Sequence, residues 1–154
     1  MSTSPSRLIA APILVLALVA AYTGFTTFAQ DLAFTNAQTE LGFWGRDSYQ
    51  AEPKTIKLTG QTIDALLQSA PGHPEYLGLQ ANYAAWRAYW ATDTMERASY
   101  NRQAVQSQHK ALQSRPAHRH SWSKMVEYAA HASTCEAMLQ QAQARLQALQ
   151  PKEI

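Results

Sequence analysis

The sequence predicts an all-α protein in which one N-terminal transmembrane helix is followed by a small domain of helical hairpins. Three observations predict this fold class. Residues 8–29 contain no charged side chain. Beyond residue 60, apolar side chains recur in steps of three and four, which is the period of a helix face. Prolines at positions 71, 116 and 151 close successive helical patterns and so divide them into hairpins.

The apolar segment at residues 8–29 is long enough to cross the hydrocarbon core of a bilayer, which takes about 20 helical residues. We therefore assign residues 1–30 to an uncleaved membrane anchor. A cleaved signal peptide is the alternative, with residues 8–21 as its apolar region and Thr27-Phe28-Ala29 as a poor cleavage site. A helix buried in the domain is a third reading. The bulky Phe25 and Phe28 beside that site favour the anchor.

Charges flanking this segment predict its orientation. Arg7 lies before it, whereas the first charged residues after it are Asp31 and Glu40, and the next basic residue is Arg46. Positive charge favours the cytoplasmic side of a membrane helix. We therefore expect a single-pass protein with its N-terminus in the cytoplasm. In a Gram-negative cell this means the inner membrane, with the C-terminal domain in the periplasm.

Residues 31–60 are predicted to form a juxtamembrane helix and a loop. The stretch Asp31–Tyr49 continues the helical period with one apolar stripe, formed by Ala33, Ala37, Leu41 and Trp44. Residues 46–54 are expected to be a loop, because the position before Pro53 disfavours helix.

Residues 61–151 are assigned to a helical domain, and residues 152–154 to a tail. The first helix of this domain is expected at Gln61–Ala70, with Thr59 or Thr62 as the N-cap. The next, Pro74–Ala91, carries bulky residues on one stripe, namely Tyr76, Leu79, Tyr83, Trp86 and Trp90. A second stripe of mostly small residues consists of Leu77, Ala81, Ala84 and Ala88. Such a helix can lie between two neighbours, because the small face permits close approach.

Three further helices follow. Asp93 begins one that runs to about Gln113, with an apolar stripe formed by Met95, Ala98, Val105 and Leu112. Ser121–Ala130 has the clearest helix face, made by Trp122, Met125, Val126, Ala129 and Ala130. A capping box at Ser133-Thr134-Cys135-Glu136 begins the last helix, whose stripe is Leu139, Ala142, Leu146 and Leu149.

The spacing of the closing prolines resembles degenerate tetratricopeptide repeats. Pro116 and Pro151 are 35 residues apart, close to the 34-residue period of that repeat. Counted from Pro116, Trp122 occupies the usual tryptophan position and Met125 the usual leucine position. The match then decays, and the preceding unit from Pro71 to Pro116 is longer, at 45 residues. In this register His118 and His120 belong to the connection between two hairpins.

The order of these features resembles one family more closely. An apolar span ending in Ala29-Gln30-Asp31 is followed by four further segments, Pro71-Gly72-His73-Pro74-Glu75-Tyr76-Leu77, Trp86-Arg87-Ala88, Ala111-Leu112-Gln113-Ser114-Arg115-Pro116 and Ser121-Trp122-Ser123-Lys124. The chain is similar to the VpsP-type accessory proteins of bacterial exopolysaccharide gene clusters. The resemblance implies a membrane-anchored, tetratricopeptide-like protein whose partners are membrane-associated proteins of polysaccharide synthesis or export. It implies no catalytic residues.

Composition and motifs exclude several function classes. The net charge of +2 comes from 13 basic and 11 acidic residues that are interspersed, so no basic patch favours nucleic-acid binding. Cys135 is the single cysteine and cannot form an internal disulfide. The histidines have no zinc-ligand spacing, and phosphate-binding loops and nucleophile motifs are absent from the sequence. We therefore expect neither an enzyme nor a bound cofactor or metal.

Three functions remain open. In the first, a membrane-anchored interaction protein serves envelope polysaccharide assembly, and an exposed groove binds its partner through Tyr76, Tyr83, Trp86, Arg87 and Trp90. In the second, the same aromatic rings stack on sugars, although few polar residues accompany them in one place. In the third, the protein is a small subunit of a larger membrane complex. Small residues of the span, such as Ala17, Ala20 and Gly24, would then permit close helix contact. The sequence leaves the oligomeric state open.

Overall fold

The computed structural model describes the chain over residues 5–132 and 135–149, with side-chain environments from residue 13 onward. Within these ranges the secondary structure is entirely α-helical, and strands are absent. The helices are α1 (Pro5–Phe43), α2 (Pro53–Ser69), α3 (Pro74–Trp90), α4 (Thr94–Ser114), α5 (Arg119–Ala130) and α6 (Glu136–Ala148). The all-α prediction is confirmed.

Helix α1 has 39 residues and is long and apolar enough to span a membrane. At 1.5 Å per residue it is about 58 Å long, roughly twice the thickness of a hydrocarbon core. Its large apolar side chains between Ile13 and Leu32 are all exposed, by 51–71%. The hydroxyls of Thr23, Thr26 and Thr27 donate to carbonyls of their own helix at 2.9–3.0 Å. These hydroxyls are therefore satisfied without water, as an apolar surrounding requires.

The second half of α1 has a different environment, because one of its faces is buried against the domain. Ala37, Leu41 and Trp44 are 2–4% exposed, so the predicted stripe is confirmed. The predicted end at Tyr49 is wrong, since the helix stops at Phe43. Two turns follow, closed by bonds from the Arg46 amide to the Phe43 carbonyl and from the Tyr49 amide to the Arg46 carbonyl.

Helix α2 begins eight residues before the predicted start at Gln61. Pro53 occupies its first turn, where the missing amide proton costs nothing and the fixed φ suits a helix. Thr59 and Thr62 therefore lie inside the helix and are not its caps. The early turns were missed because Ile56 and Leu58 are their only bulky apolar side chains, and Leu58 is exposed.

Helix α3 lies between two neighbours, as its two stripes predict. Its small face contributes Ala81 and Ala84, both fully buried, to a core shared with α4, α5 and α6. Its bulky face contributes Tyr76 and Leu79 to a second core shared with α1 and α2. The interface between α3 and α4 is the most extensive helix pair in the described chain. The alanine face makes this possible because it lets the two backbones approach closely.

Helix α4 begins where predicted, with an Asp93 carboxylate oxygen accepting from the Glu96 amide at 2.7 Å. Its predicted stripe is wrong at Met95, which is 75% exposed. The buried residues nearest the start of the helix are Ala104 and Val105. At 100° per residue, Met95 lies about 180° from Ala104 around the helix, and therefore faces away from the core.

The connection between α4 and α5 joins two antiparallel helices. The Asn101 side chain of α4 donates to the His131 carbonyl at the end of α5, at 2.9 Å. Gln108 donates to the Ser121 carbonyl near the start of α5, at 2.7 Å. The prediction that His120 belongs to the connection is wrong, because α5 begins at Arg119 and His120 lies in its first turn. His118 is the N-cap residue, and its Nδ1 lies 2.7 Å from the Ser121 hydroxyl.

The last helix begins at Glu136 with Cys135 as its N-cap residue, two residues later than the capping box predicts, since that box would place Glu136 at the third helical position. Ser133 and Thr134 of that box lie outside the described residues, as do Pro151 and the tail of residues 152–154. Ala142 is fully buried, and the other three stripe positions are partly buried against the same core, at Leu139, Leu146 and Leu149.

Trp122 is predicted to be a main support of the core shared by α3, α4, α5 and α6. Its side chain is 7% exposed, and its indole nitrogen donates to the Pro116 carbonyl at 2.8 Å. We expect Trp122→Ala to lower the free energy of unfolding by roughly 3–5 kcal/mol, because a large cavity and an unpaired carbonyl would remain. Chemical denaturation of the full-length protein in detergent, followed by circular dichroism, measures this change. Met95→Ala is the matched control, and an equal loss in both variants would contradict the assignment.

Candidate functional site

The candidate site is built around four aromatic residues where α1 meets α3. The Trp44 ring centroid lies 5.0 Å from that of Trp90, 5.9 Å from that of Tyr83 and 6.5 Å from that of Trp86. Trp86 and Trp90 are themselves 5.5 Å apart. Because Trp44 is 4% exposed and the other three are partly exposed, this aromatic cluster has a buried centre and an accessible rim.

Glu40 positions the buried member of the cluster. Its carboxylate accepts from the Trp44 indole nitrogen at 2.7 Å and from the Tyr49 hydroxyl. The hydrogen bond to Glu40 raises the pKa of Tyr49, since ionisation would remove the donor and place two negative charges together. One carboxylate thereby ties the turn after α1 to the helix itself, and holds the Trp44 ring against α3.

A first groove of about 860 Å³ opens on one side of the aromatic cluster. It lies between the turn after α1 and one face each of α3, α4 and α5. Its aromatic wall is formed by Trp44, Trp86, Tyr89 and Tyr128, and its polar groups are Arg46, Asp47, Asn82, Arg97, Asn101, Lys124, Glu127 and His131. Tyr89 is 75% exposed and is the most accessible ring of this wall. The groove thus combines open aromatic surface with amides and both signs of charge.

The charges of the first groove are partly neutralised within it. Lys124 pairs with Glu127 at 2.8 Å, and the Arg97 guanidinium donates to the Ala91 carbonyl at 2.7 Å. Arg46 lies over the Phe43 ring, 4.4 Å from its centroid. Burial raises the pKa of Tyr128, and the negative charge of Glu127 adds to this, so the phenol stays neutral at physiological pH.

A second groove of about 790 Å³ lies on the other side of the cluster, between α2, α3 and the start of α4. Its walls include Tyr49, Lys57, Asp64, Tyr83, Arg87, Trp90 and Glu96. Arg87 pairs with Glu96 at 3.5 Å, lies 3.4 Å from the Tyr83 hydroxyl and covers the Tyr100 ring at 4.8 Å. Partial burial alone would lower the pKa of Arg87, but these contacts outweigh it and raise the pKa. The guanidinium is therefore engaged within the protein.

The five residues predicted to line one exposed groove are divided by the structure. Trp86 faces the first groove, whereas Tyr83, Arg87 and Trp90 face the second. The expectation is wrong for Tyr76, which is 6% exposed and belongs to the core between α1, α2 and α3. Tyr76 stacks on His73 at 4.2 Å and contacts Phe34 at 5.8 Å, because its position in the first turn of α3 faces α1.

Several groove residues were not expected from the sequence. Tyr89 lies outside both stripes of α3, and this position by itself indicates an exposed side chain. Asn82 and Asn101 are far apart in sequence and meet only because α3 and α4 are antiparallel. Lys124, Glu127 and His131 come from α5. Sequence spacing within one helix cannot reveal a site assembled from four elements.

The described residues contain no group of three or more His, Cys, Asp or Glu side chains that could hold a metal ion. The side chains of the first groove can accept and donate hydrogen bonds, stack on planar or apolar surfaces and pair with either charge. This arrangement suits binding. In comparisons with known proteins, the chain matches no family model, no curated protein and no solved structure.

The close contact between Gly60 of α2 and Tyr83 of the aromatic cluster predicts that alanine at Gly60 and alanine at Gly78 will have opposite effects on stability. A Cβ atom at Gly60 would lie 2.6 Å from the Tyr83 hydroxyl oxygen, whereas one at Gly78 would meet nothing within 4 Å. Both glycines lie inside helices, where alanine is favoured by up to about 1 kcal/mol. We expect Gly78→Ala to stabilise the protein by that amount, and Gly60→Ala to destabilise it because Tyr83 must move.

Thermal unfolding of both glycine variants in the same detergent measures the difference. The expected result is opposite shifts of the melting temperature. Equal stabilisation of both variants would show that the Tyr83 side chain does not pack against Gly60.

Proposed function

We propose that this chain is a non-catalytic, membrane-anchored interaction protein that serves the assembly of exopolysaccharide or another cell-envelope polysaccharide. In this proposal the N-terminus lies in the cytoplasm, α1 crosses the inner membrane, and the remaining helices form a tetratricopeptide-like domain in the periplasm. Its partners are membrane-associated proteins of polysaccharide synthesis or export. The observation that carries the proposal is an open groove with an aromatic wall, held at the end of a helix long enough to span a membrane.

The anchor supports this function because it keeps the groove close to the membrane surface. A partner in the same membrane meets the groove at a raised local concentration, so modest affinity suffices for occupancy. The helix pairs α3–α4 and α5–α6 form one continuous wall, because they share a single buried core. The pathway itself is supported by the resemblance of the chain's helix punctuation to the exopolysaccharide accessory family.

The exposed rim of the first groove is the part proposed to contact the partner. Tyr89 is 75% exposed and contacts Trp86 edge-on, with ring centroids 5.8 Å apart. Exposed aromatic rings next to a fixed aromatic wall are favourable anchors, because they bury a large area with little loss of side-chain freedom. Asn82 and Asn101 lie in the same groove and can bind a backbone or a hydroxyl group.

A second candidate is direct carbohydrate binding in this groove. The sequence places few polar residues beside the aromatic ones, but the fold brings Asn82, Asn101 and Asp47 next to Trp86 and Tyr89. Aromatic faces that stack on sugar rings, with amides and carboxylates for the hydroxyls, are the groups that such binding needs. A third candidate, a structural subunit held through α1, relies on its exposed face, where Gly24 is open to close approach by another helix.

Site-specific photocrosslinking in living cells distinguishes the candidates. A photoreactive phenylalanine analogue at position 89 is expected to capture a membrane protein of polysaccharide synthesis or export. The matched control places the same analogue at Gln106, an exposed position about 180° around α4 from Arg97 of the groove. Recovery of glycan without protein at position 89 would favour the second candidate. Equal capture at both positions would contradict the groove as the binding surface.

Topology is tested separately with reporter fusions at the C-terminus. We expect an alkaline phosphatase fusion to be active and a fluorescent-protein fusion exported by the same route to remain dark, because the domain lies in the periplasm. Moving a positive charge to the far side of the span, by combining Arg7→Gln with Asp31→Lys, should weaken this orientation. Fluorescence of the unmodified protein's fusion would overturn the predicted orientation.

A further inference from the structure

The direction of every helix relative to the bilayer follows from α1. Helix α1 is continuous from its apolar half into its packed half. Phe34, near the apolar half, contacts Tyr76 at the start of α3, whereas Trp44, beyond the end of α1, contacts Trp90 at the end of α3. Helix α3 therefore begins near the bilayer and points away from it. This reasoning rests on the proposed membrane anchor.

The antiparallel hairpins bring a second connection to the same end. Helix α4 returns toward the bilayer, and Arg115 at its end pairs with Glu75 at the start of α3, at 2.9 Å. Helix α5 then points away again, because its far end at His131 is bonded to Asn101 near the start of α4. The connections at residues 70–73 and 115–118 therefore lie together on the bilayer side of the domain, which we call the membrane-facing end.

Helix geometry sets the height of this end above the bilayer. Taking Ala29 as the last residue of the apolar span, Phe34 stands about 7 Å beyond it at 1.5 Å per residue. Tyr76 is level with Phe34, and Pro74 begins α3 about 3 Å nearer the bilayer. The headgroup layer on each side of a bilayer is roughly 5–8 Å thick. The membrane-facing end therefore reaches the headgroups.

Charge is distributed unevenly between the two ends. The basic residues at or near the membrane-facing end are Lys110, Arg115, Arg119 and Arg145. The acidic residues there are Asp31 on α1 and Glu75, which Arg115 already neutralises. Among the described residues, the opposite end carries charges of both signs, with seven acidic and five basic side chains: Glu40, Asp47, Glu52, Asp93, Glu96, Glu127 and Glu136, and Arg46, Lys54, Lys57, Arg87 and Arg97. Arg119 is exposed, and no acidic side chain among the described residues lies within ion-pair distance of it.

We infer that the membrane-facing end binds the headgroups of anionic phospholipids, with Arg119 as the main contact and Lys110 and Arg145 as further cations of the same end. Each cation close to an anionic surface strengthens the contact about fivefold, and the attraction decays within a Debye length of about 8 Å. The opposite end lacks this excess of basic over acidic side chains. Contact at this end would therefore hold the domain upright, with both grooves facing away from the lipid.

The test uses the full-length protein in nanodiscs of phosphatidylcholine, with or without about 30% phosphatidylglycerol, a fraction that gives a strongly negative surface. Hydrogen–deuterium exchange is followed by mass spectrometry in peptides covering residues 113–122. The amides of His118, Ser121 and Trp122 are hydrogen-bonded there and exchange measurably. We expect these amides to exchange about fivefold more slowly in the anionic discs. The connection at residues 91–93, at the opposite end, should be unchanged.

Arg119→Gln is expected to abolish the lipid-dependent protection without changing the melting temperature, because the side chain is exposed. Arg102→Gln is the matched control, since Arg102 is also an exposed cation and lies about 18 Å along α4 from its membrane-facing end. Loss of protection in both variants would show a general charge effect and overturn the assignment.

Two other outcomes overturn the inference, and one of them separates it from the proposed function. Equal exchange in both lipids, with the protein co-eluting with the discs, would disprove the headgroup contact and leave the anchor standing. Failure of the protein to co-elute with either disc would disprove the anchor itself, and with it the premise of the inference.

Discussion

The packing of Trp44 against α3 is the interaction on which the rest of this structure depends. Its ring is buried among Trp90, Trp86 and Tyr83, and Glu40 fixes its orientation from within α1. A second contact, between Phe34 and Tyr76, lies about 15 Å away along the same helix. One contact would leave α1 free to pivot on the domain. Two contacts at opposite ends of α3 set its direction, so the apolar half and the helical domain form one continuous element.

That rigid attachment separates two surfaces of the domain. The aromatic cluster lies at the end far from the apolar half of α1, and both grooves open beside it. The connections at residues 70–73 and 115–118 lie at the near end, where Arg115 bonds Glu75 and closes the hairpin. Under the proposed function this separation is favourable, because the grooves and the proposed lipid-contacting end use different side chains.

Helix faces were predicted well where packing repeats along one element. The two stripes of α3 and the Ala37, Leu41 and Trp44 stripe of α1 were read correctly, because burial on one side imposes the 3.6-residue period on the sequence itself. Errors arose where the period is interrupted. Met95 fits the spacing of an apolar stripe but lies on the wrong side of α4, and the polar start of α2 carries no stripe at all.

The sequence by itself determined the all-α class, the long apolar N-terminal helix and most helix ends, because these follow from local periodicity, proline and hydropathy. It also identified the aromatic residues of α3. Only the tertiary structure decided which of them face solvent: Tyr76 is buried against α1, and the others divide between two grooves. It also brought Asn82 and Asn101 together and gathered Arg119 with Lys110 at one end. These groupings depend on how antiparallel helices meet, and the pairing of residues across helices leaves no period in the sequence.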